Sequence, residues 1–384
     1  MTRWHVRRCG WWLGVAVAVL VASASAAYIE DEEFGPAPRP RPAPPVGPPV
    51  RPPPPLPPPP PTPQVPELAA YLDRLEIRHP LICGRLAVFP AMLHGHGSPG
   101  GRWWTADAAI ANGVLVVSEK GGGGAVPVVV MENRSGADHV FVMAGEVVSG
   151  GKQTRTVRRD IILSPGQRVE TPVLCVEAHR WQGEAAFGAA GVLVPQSIQK
   201  ALRKGADQSA VWAEVARNNA ALGSENATGS LELGLKAGPV ARRLADVRRT
   251  IVPEVPAGSV GFIFADGSAG RVIGAEFFGR SDLAHALLAK LIDAYAVDLV
   301  LQVRGGGVRP VDRAIAHEFL NRIRRAGSYR TGTPGSGSGI ATHNAGLVGD
   351  GVSFGPDLVH FGCQVEDRIV VPLVRPAPRP PMLR

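Results

Sequence analysis

Proline dominates the stretch that precedes the first globular pattern in this chain. Nineteen of the 31 residues from Pro36 to Pro66 are proline, with an unbroken run at 57–61. Proline has no backbone N–H group, so the stretch cannot join a helix or a central strand, and we expect an extended polyproline II stalk of about 100 Å. The alternative is a docking motif for an aromatic-lined groove. Any folded core must come from the residues that follow.

An export signal is predicted ahead of the stalk. Residues 3–8 are rich in arginine, residues 10–22 are apolar, and residues 24–26 form the small-residue pattern of a cleavage site. We therefore expect a periplasmic or extracellular protein that the stalk holds near the membrane or cell envelope. The alternative is an uncleaved anchor, because the low-charge run at 9–27 has roughly the length that spans a bilayer.

These features divide the chain into four predicted parts. They are a signal peptide at 1–26, a proline-rich disordered stalk at 27–66, a folded domain at 67–374 and a disordered tail at 375–384. Within the domain, residues 76–181 are predicted to be β-rich and residues 182–374 to mix helices and strands.

Charge and cysteine content exclude two classes of protein. The whole chain has 41 Lys and Arg against 33 Asp and Glu, but residues 67–374 hold 32 against 29. A nucleic-acid-binding domain shows clustered bases on one face, so we expect no nucleic-acid partner. Cys83, Cys175 and Cys363 permit at most one intramolecular disulfide, whose pairing stays open, and this excludes a disulfide framework.

The hydrophobic pattern predicts an α+β fold. Short β-branched runs separated by glycine, asparagine and serine favour a sandwich or barrel-like antiparallel arrangement in the first half. Strands are predicted at 85–93, 114–119, 126–133, 139–148, 160–164, 169–178, 260–265, 271–278, 346–354, 357–364 and 367–374. Helices are predicted at 105–112, 195–204, 207–222, 239–250, 281–295 and 311–326, with Asp207 and Ser281 as caps. The Gly-Ser segment at 332–339 is interpreted as a flexible connection.

The densest group of candidate functional residues lies between residues 145 and 181. Gly150 and Gly151 free backbone N–H groups, while Lys152, Gln153 and Arg155 supply cationic and amide donors that can hold an anion. The alternative interpretation is a glycine bulge in a strand with its Lys and Arg solvated.

Two carboxylates in the same stretch, Glu146 and Glu177, are candidate general bases if burial separates their pKa values. The alternative is a structural role in which Arg155 or Arg180 pairs with a glutamate. No metal site is predicted, because the His94 and His96 pair has no third ligand nearby.

These residues carry a resemblance to a known family. The motifs Gly145-Glu146, Gly150 to Gln153, Arg155, Cys175 to Glu177 and Arg180-Trp181 together resemble the domain family named for its association with ADP-ribosylglycohydrolases and rhodanese-phosphatase proteins. The resemblance covers most of residues 80–300. It implies a link to ADP-ribose or NAD chemistry by association, and it implies no particular reaction or cofactor.

The sequence thus predicts an exported binding module for an anionic ligand of nucleotide or ADP-ribose type. The predicted ligand-binding residues are Gly150, Gly151, Lys152, Gln153, Arg155, Arg180 and Trp181, with Trp181 as an apolar face. One alternative is a hydrolase that uses Glu146 or Glu177 as general base. The other is a structural protein of the cell envelope, without a small-molecule site.

Overall fold

A computed structural model of the chain describes residues 63–95, 99–121, 127–301 and 311–366. Eight α-helices and eighteen strands lie in these residues, and the predicted α+β class is confirmed. The predicted signal peptide, most of the stalk, the last predicted strand at 367–374 and the tail lie outside the described residues. Among those described, no helix combines the length and the apolar character needed to cross a membrane.

Six antiparallel strands of the first half close into a barrel. They are β5 (Leu115–Glu119), β6 (Val128–Asn133), β8 (Glu146–Gly150), β9 (Arg155–Val157), β11 (Arg168–Cys175) and β12 (Ala186–Leu193). Their order around the barrel is β11, β6, β5, β12, β8 and β9. Side chains alternate across each strand, so Leu115 and Val117 enter the barrel core and Glu119 follows them on the same inward face.

A small sheet and a short helix cover part of the barrel. The sheet contains β4 (Trp103–Thr105), β7 (His139–Val142) and β10 (Ile161–Leu163), and helix α2 spans Ala106–Ala111. Strand β7 pairs antiparallel with β10 and parallel with β4. The predicted strand 139–148 is in fact two strands, because Ala144 and Gly145 break it and Gly145 has a φ of +89°.

A nine-stranded antiparallel sheet forms the other half of the fold. Its strands are β1 (Leu75–Ile77), β2 (Leu81–Cys83), β3 (Leu86–Leu93), β13 (Ser259–Asp266), β14 (Arg271–Phe278), β15 (Tyr329–Thr331), β16 (Ser338–Asn344), β17 (Leu347–Phe354) and β18 (Asp357–Val365). They run in the order β1, β3, β13, β14, β18, β17, β16 and β15, with β2 paired to β3. Alternation along β13 sends Phe262 and Phe264 into one core and Ile263 and Ala265 into another.

Helices cover both faces of this sheet. They are α1 (Pro66–Leu72), α3 (Gln196–Arg203), α4 (Gln208–Leu222), α5 (Leu231–Lys236), α6 (Gly238–Ile251), α7 (Ser281–Ala296) and α8 (Arg313–Ala326). Helices α1 and α8 share a core with one face. Helices α3 to α7 share the largest core with the other face and with the outside of the barrel. This second core joins the two halves of the fold.

The predicted helix caps have different outcomes. Asp207 caps α4, since its Oδ1 accepts a hydrogen bond from the Ala210 N–H at 2.9 Å, which confirms the prediction. The predicted cap Ser281 is wrong, because Ser281 is already the first helical residue and Arg280 occupies the cap position. The first-turn carboxylate of Asp282 accepts from the Leu283 N–H instead, at 2.8 Å.

The predicted flexible connection at 332–339 is wrong as well. The Ser336 N–H donates to the Ile162 carbonyl at 2.8 Å, and its hydroxyl is 2.8 Å from that of Ser164. A Cβ atom at Gly335 would overlap the backbone of Ile162. Glycine lets this segment pack directly on β10, and strand β16 begins at Ser338. Cys83, Cys175 and Cys363 are all free thiols.

Candidate functional site

Most of the predicted site residues meet at one end of the barrel, where β8 ends, β9 begins and β11 ends. The polypeptide turns from Gly150 into β9 here, and the segment that follows Cys175 crosses the same end. The residues brought together are Gly150, Gly151, Lys152, Gln153, Arg155, Glu177, Arg180 and Trp181. Hydrogen bonds and ring contacts link all of them, so we call this group the barrel-end cluster.

The two glycines of the barrel-end cluster are required by geometry. Gly150 has a φ of +110° and Gly151 a φ of +55°, and a Cβ atom on Gly151 would overlap the ring of Phe187. The backbone groups here are already engaged. The Gly151 N–H donates to the Ala186 carbonyl at 3.1 Å, and the Lys152 N–H donates to a carboxylate oxygen of Glu119 at 2.9 Å.

Glu177 and Arg180 form the firmest contact of the cluster. Glu177 Oε2 accepts from Arg180 Nη2 at 2.7 Å, from Arg180 Nε at 2.9 Å and from the Thr154 N–H at 3.0 Å. Burial works to raise the pKa of Glu177, but the hydrogen bonds from Arg180 and Thr154 outweigh it and lower the pKa. Arg180 also donates to the carbonyls of Gly150, Gly151 and Gln182. Glu177 is therefore an ionised carboxylate whose Oε2 is held by Arg180 and Thr154.

Arg155 is completely buried in the barrel interior. Its Nη1 donates to Gln153 Oε1 at 3.0 Å and to the sulfur of Cys175 at 2.8 Å, and its Nη2 lies 3.7 Å from Glu119 Oε1. The Gln153 amide is held in turn by the Glu177 carbonyl at 2.9 Å. Burial is the main cause that raises the pKa of the Cys175 thiol. The predicted anion donor Arg155 thus faces Glu119, which was not among the predicted site residues.

Lys152 and Trp181 form the outer part of the cluster. The Lys152 ammonium lies 5.5 Å from the centre of the Trp181 ring, and the Arg155 guanidinium carbon lies 5.7 Å from it. Both distances suit a cation–π contact. The Trp181 side chain keeps 46% of its surface exposed. An indole face is therefore presented to solvent at this end of the barrel, beside the half-buried Lys152.

Glu146 belongs to a different group of side chains. It begins β8, four residues and about 13 Å along the strand from Gly150. Its carboxylate accepts from the Met143 N–H at 2.8 Å and forms a buried ion pair with Lys290, whose ammonium also lies 2.8 Å from Asp107. Burial raises the pKa of Glu146, although Lys290 works against the rise. The two predicted general bases therefore do not share a pocket.

A polar cleft of about 160 Å³ lies between the barrel half and the large sheet. The link from β9 to β10 forms one wall, the end of α3 another, and β15, β16 and β17 the third. Arg158 and Arg159 lie in the first wall, and neither forms an ion pair with any of the described residues. Arg158 donates to the Ala206 carbonyl at 3.3 Å, whereas the Arg159 side chain is exposed.

Below this cleft a buried histidine joins two carboxylates. His360 Nδ1 lies 2.6 Å from Asp160 Oδ2, and His360 Nε2 lies 3.2 Å from Glu276 Oε2. Burial alone would lower the pKa of His360, but Asp160 and Glu276 outweigh it and raise the pKa to about 9. The imidazole is therefore protonated at neutral pH and donates from both nitrogens.

The chain of ionic contacts continues from Glu276 to the cleft surface. Arg203 Nη2 donates to Glu276 at 3.1 Å, and Arg203 Nε donates to Asp350 at 2.6 Å. The Tyr295 hydroxyl donates to the other Glu276 oxygen at 3.1 Å. Burial raises the pKa of Asp350, the Arg203 guanidinium opposes the rise, and Asp160 adds to it. We call the five residues Asp160, His360, Glu276, Arg203 and Asp350 the cleft network.

The sequence gives two weak signals for this cleft. Arg158-Arg159-Asp160 interrupts two β-branched runs, where a turn would more often contain glycine or asparagine. Gly362 lies between apolar residues of β18, and a Cβ atom there would overlap the Arg203 guanidinium and the Glu276 carboxylate. A glycine inside a strand is a sign of close approach by another group. Neither signal shows which distant residues meet.

The described residues contain no group of three or more potential metal ligands in suitable positions. His94 pairs with Glu76, at 2.9 Å, and His96 lies outside the described part of the chain.

Comparison with known proteins places the chain in a family. No curated protein and no solved structure matches it significantly. One family model matches residues 74–363, a span that includes the barrel, the large sheet and both polar clusters. That model describes the ARG and Rhodanese-Phosphatase-superfamily-associated Protein domain, ARPP-1, and the chain belongs to this family.

Proposed function

We propose that this domain is a binding module for an anionic small molecule of the nucleotide or ADP-ribose class, and that the cleft receives its phosphate group. The observation that carries the proposal is the pair Arg158 and Arg159 at the cleft, neither of which has a carboxylate partner among the described residues. A guanidinium group matches phosphate oxygens in a bidentate geometry.

The charges at the cleft support this assignment. Protonated His360 and Arg203 compensate two of the three carboxylates of the cleft network, so the network carries one net negative charge. Arg158 and Arg159 add two positive charges, which leaves the cleft with a net positive charge. Gly349 and Gly351 line the opposite wall, where a Cβ atom on either would overlap the backbone of β18.

The cleft volume limits how much of a ligand it can enclose. About 160 Å³ is close to the roughly 150 Å³ of a cavity that accepts one benzene molecule, which suits one phosphate group or one pentose. A nucleotide would therefore insert its phosphate, with its ribose at the mouth of the cleft and its base outside. Asp350, whose side chain is about one-fifth exposed, is placed to accept a hydrogen bond from a sugar hydroxyl.

The barrel-end cluster stays the second candidate location for the same anion. Its Trp181 face is exposed, and Arg155 Nε and Nη2 are buried without a hydrogen bond among the described residues, but the donors of Arg180 and the Lys152 N–H are already engaged with Glu177, Glu119 and backbone carbonyls. A ligand would have to displace these contacts. Arg159 has no hydrogen bond or ion pair with the described residues that an anion at the cleft would have to displace.

Titration calorimetry of the full chain with inorganic phosphate, AMP and ADP-ribose tests both locations. We expect Arg159→Ala to weaken binding at least tenfold, while Lys152→Ala and the control Arg134→Ala on the barrel surface leave it unchanged. Loss of binding in the Lys152→Ala variant alone would place the site at the barrel end. No binding of any of the three compounds would contradict the proposal and favour a structural role.

A hydrolase is the second candidate function. Glu146, Glu177 and Asp350 are all held in ion pairs, and the observation that favours Asp350 is its position in the cleft, where its side chain is about one-fifth exposed and burial is the main cause that raises its pKa. Product formation from ADP-ribose or a nucleotide, abolished in Asp350→Asn with binding retained, would support it. The same assay with Glu146→Gln and Glu177→Gln tests the two bases predicted from the sequence.

We also propose that the protein acts outside the cytoplasm, supported by the basic, apolar and small-residue pattern of residues 3–26. Cell fractionation with N-terminal sequencing tests this. A mature chain that begins at Ala27 in the exported fraction is expected, and an intact chain in the membrane fraction would favour the uncleaved anchor. Intact protein confined to the cytoplasm would refute export.

A further inference from the structure

An exposed aromatic side chain borders the cleft. Tyr329, the first residue of β15, is 56% exposed. Four large hydrophobic side chains are exposed in the described parts of the chain, and Tyr329 is the one of them that lines the cleft. Its side chain forms no hydrogen bond and no ring contact with the described residues. Isolated exposed hydrophobic residues are common, so its meaning depends on where the ring lies relative to Arg158 and Arg159.

The alternation of side chains along β15 directs the Tyr329 ring to the cleft. Tyr329 and Thr331 both line the cleft, whereas Arg330 between them faces the other side of the sheet and pairs with Glu67 at 2.7 Å. The neighbouring strand β16 places Ala341 opposite Tyr329. The methyl group of Ala341 is too small to cover an aromatic ring. Tyr329 therefore offers an uncovered ring on the cleft side of the sheet.

The residues that follow Tyr329 lead to the arginines of the cleft. Thr333 Oγ1 donates to the Asp160 carbonyl at 3.3 Å, and Asp160 directly follows Arg159 in the chain. Thr333 is four positions after Tyr329, so the backbones of these two residues are at most about 14 Å apart. The side chains of Arg159 and Tyr329 both line the cleft. One nucleotide, with its ribose at the mouth of the cleft, can therefore reach both side chains.

We propose that Tyr329 stacks on the base of the bound ligand, so that the cleft prefers a nucleoside monophosphate to a sugar phosphate. This inference rests on the function proposed above and assigns a contact to the part of the ligand that lies outside the cleft. A base presents a flat π face that stacks on an aromatic ring, and a sugar phosphate has no such face. Because every base has a π face, stacking selects nucleotides as a class rather than one particular base.

Calorimetry of the full chain with AMP and ribose 5-phosphate, which differ in the base, tests this role. We expect AMP to bind about tenfold tighter than ribose 5-phosphate, which is the size of a typical base–aromatic stacking contact. Tyr329→Ala should remove this difference by weakening AMP binding alone, and Tyr329→Phe, which keeps the ring, should preserve it. The control is Leu233→Ala, because Leu233 is similarly exposed but does not line the cleft, and its loss should change neither affinity.

Failure of this inference is distinguishable from failure of the function proposed for the cleft. Equal affinity for AMP and ribose 5-phosphate, with both weakened in Arg159→Ala, would overturn the stacking role and leave the phosphate site standing. Equal weakening of both compounds in Tyr329→Ala would also overturn it, because the ring would then not act through the base. No binding of either compound would contradict both proposals. In the unsubstituted protein, NMR contacts between the adenine protons of AMP and the Tyr329 ring decide the same question without a variant.

Discussion

Raising the pH from 6.5 to 8.5 should destabilise this protein through one side chain, His360. Its pKa is 6.5 when unperturbed and about 9 in the fold, because Asp160 and Glu276 outweigh the effect of burial. A folded-state pKa above the unfolded one stabilises the fold fully below about pH 6.5, and that stabilisation is lost as pH rises through 9. Between pH 6.5 and 8.5 the expected loss is about 2 kcal/mol.

Urea unfolding of the full chain at half-unit pH steps measures this loss. The range begins at pH 6.5 because burial raises the pKa of Asp293 and Asp298 to about 6, and these groups have largely titrated by then. The range ends at pH 8.5 because burial raises the pKa of Cys363 to about 12. Above pH 8.5 this thiol ionises in the unfolded chain but not in the fold, which lowers the free energy of unfolding further.

His360→Gln should remove the decline, since glutamine can donate to Asp160 without titrating. His343→Gln is the control, because that histidine is exposed and pairs with Glu366 at 3.4 Å. A decline below about 0.5 kcal/mol in the unsubstituted protein, or an equal decline in His360→Gln, would refute the reasoning. If His360→Gln does not fold, the NMR titration of the His360 ring in the unsubstituted protein gives its pKa directly.

Three further variants test the other contacts. Lys290→Met leaves Glu146 buried without its cation, and urea unfolding should show a loss of about 3–5 kcal/mol. Gly362→Ala forces a methyl group into Arg203 and should lower stability by about 1–3 kcal/mol, measured as a lower Tm. Hydrogen bonds from Arg180 and Thr154 outweigh burial and lower the pKa of Glu177. The ionised carboxylate therefore stabilises the fold above about pH 4.5, and this stabilisation is lost on acidification. Glu177→Gln has no such group to protonate, so its stability should fall less steeply with decreasing pH.

Each of these variants has a control in the chain. Lys120→Met breaks an exposed ion pair and should leave stability nearly unchanged, so an equal effect of Lys290→Met would contradict the buried-pair argument. Gly188 has room for a methyl group and an ordinary φ, so Gly188→Ala should be tolerated where Gly362→Ala is not. For Glu177→Gln, the contradicting result is an acid transition identical to that of the unsubstituted chain.

The sequence predicts elements well where the periodicity is strong. The strands from Leu86 to Leu93 and from Arg271 to Phe278, and the helix from Ser281 to Ala296, appear close to their predicted limits. Strand β12, Ala186–Leu193, was missed because alanine and glycine have low strand propensity. It is a strand because β5 and β8 each leave an edge that β12 pairs with, which closes the barrel. Such pairing is a tertiary requirement that local composition does not reveal.

Sequence proximity also explains which part of the site could be predicted. Gly150 to Arg155 and Glu177 to Trp181 lie in two short segments on neighbouring strands, so their meeting follows from one antiparallel pair, β9 with β11. The cleft network joins Asp160 to His360, which are 200 positions apart. Its members come from a barrel connection, a helix and three strands of the large sheet. Only the packing of the barrel half on that sheet brings them together.

A basic side chain can bind an anion only if its N–H groups are not already used in hydrogen bonds within the fold. All five N–H groups of Arg180 are engaged, three with the carbonyls of Gly150, Gly151 and Gln182 and two with Glu177. Such an arginine links neighbouring segments of the chain and has no N–H group left for an anion. Arg159 has no such contacts among the described residues and stands at a polar cleft. Arg180, one of the two arginines predicted from the sequence to bind the anion, is therefore a weaker candidate than Arg159, because its contacts within the barrel end use all of its N–H groups.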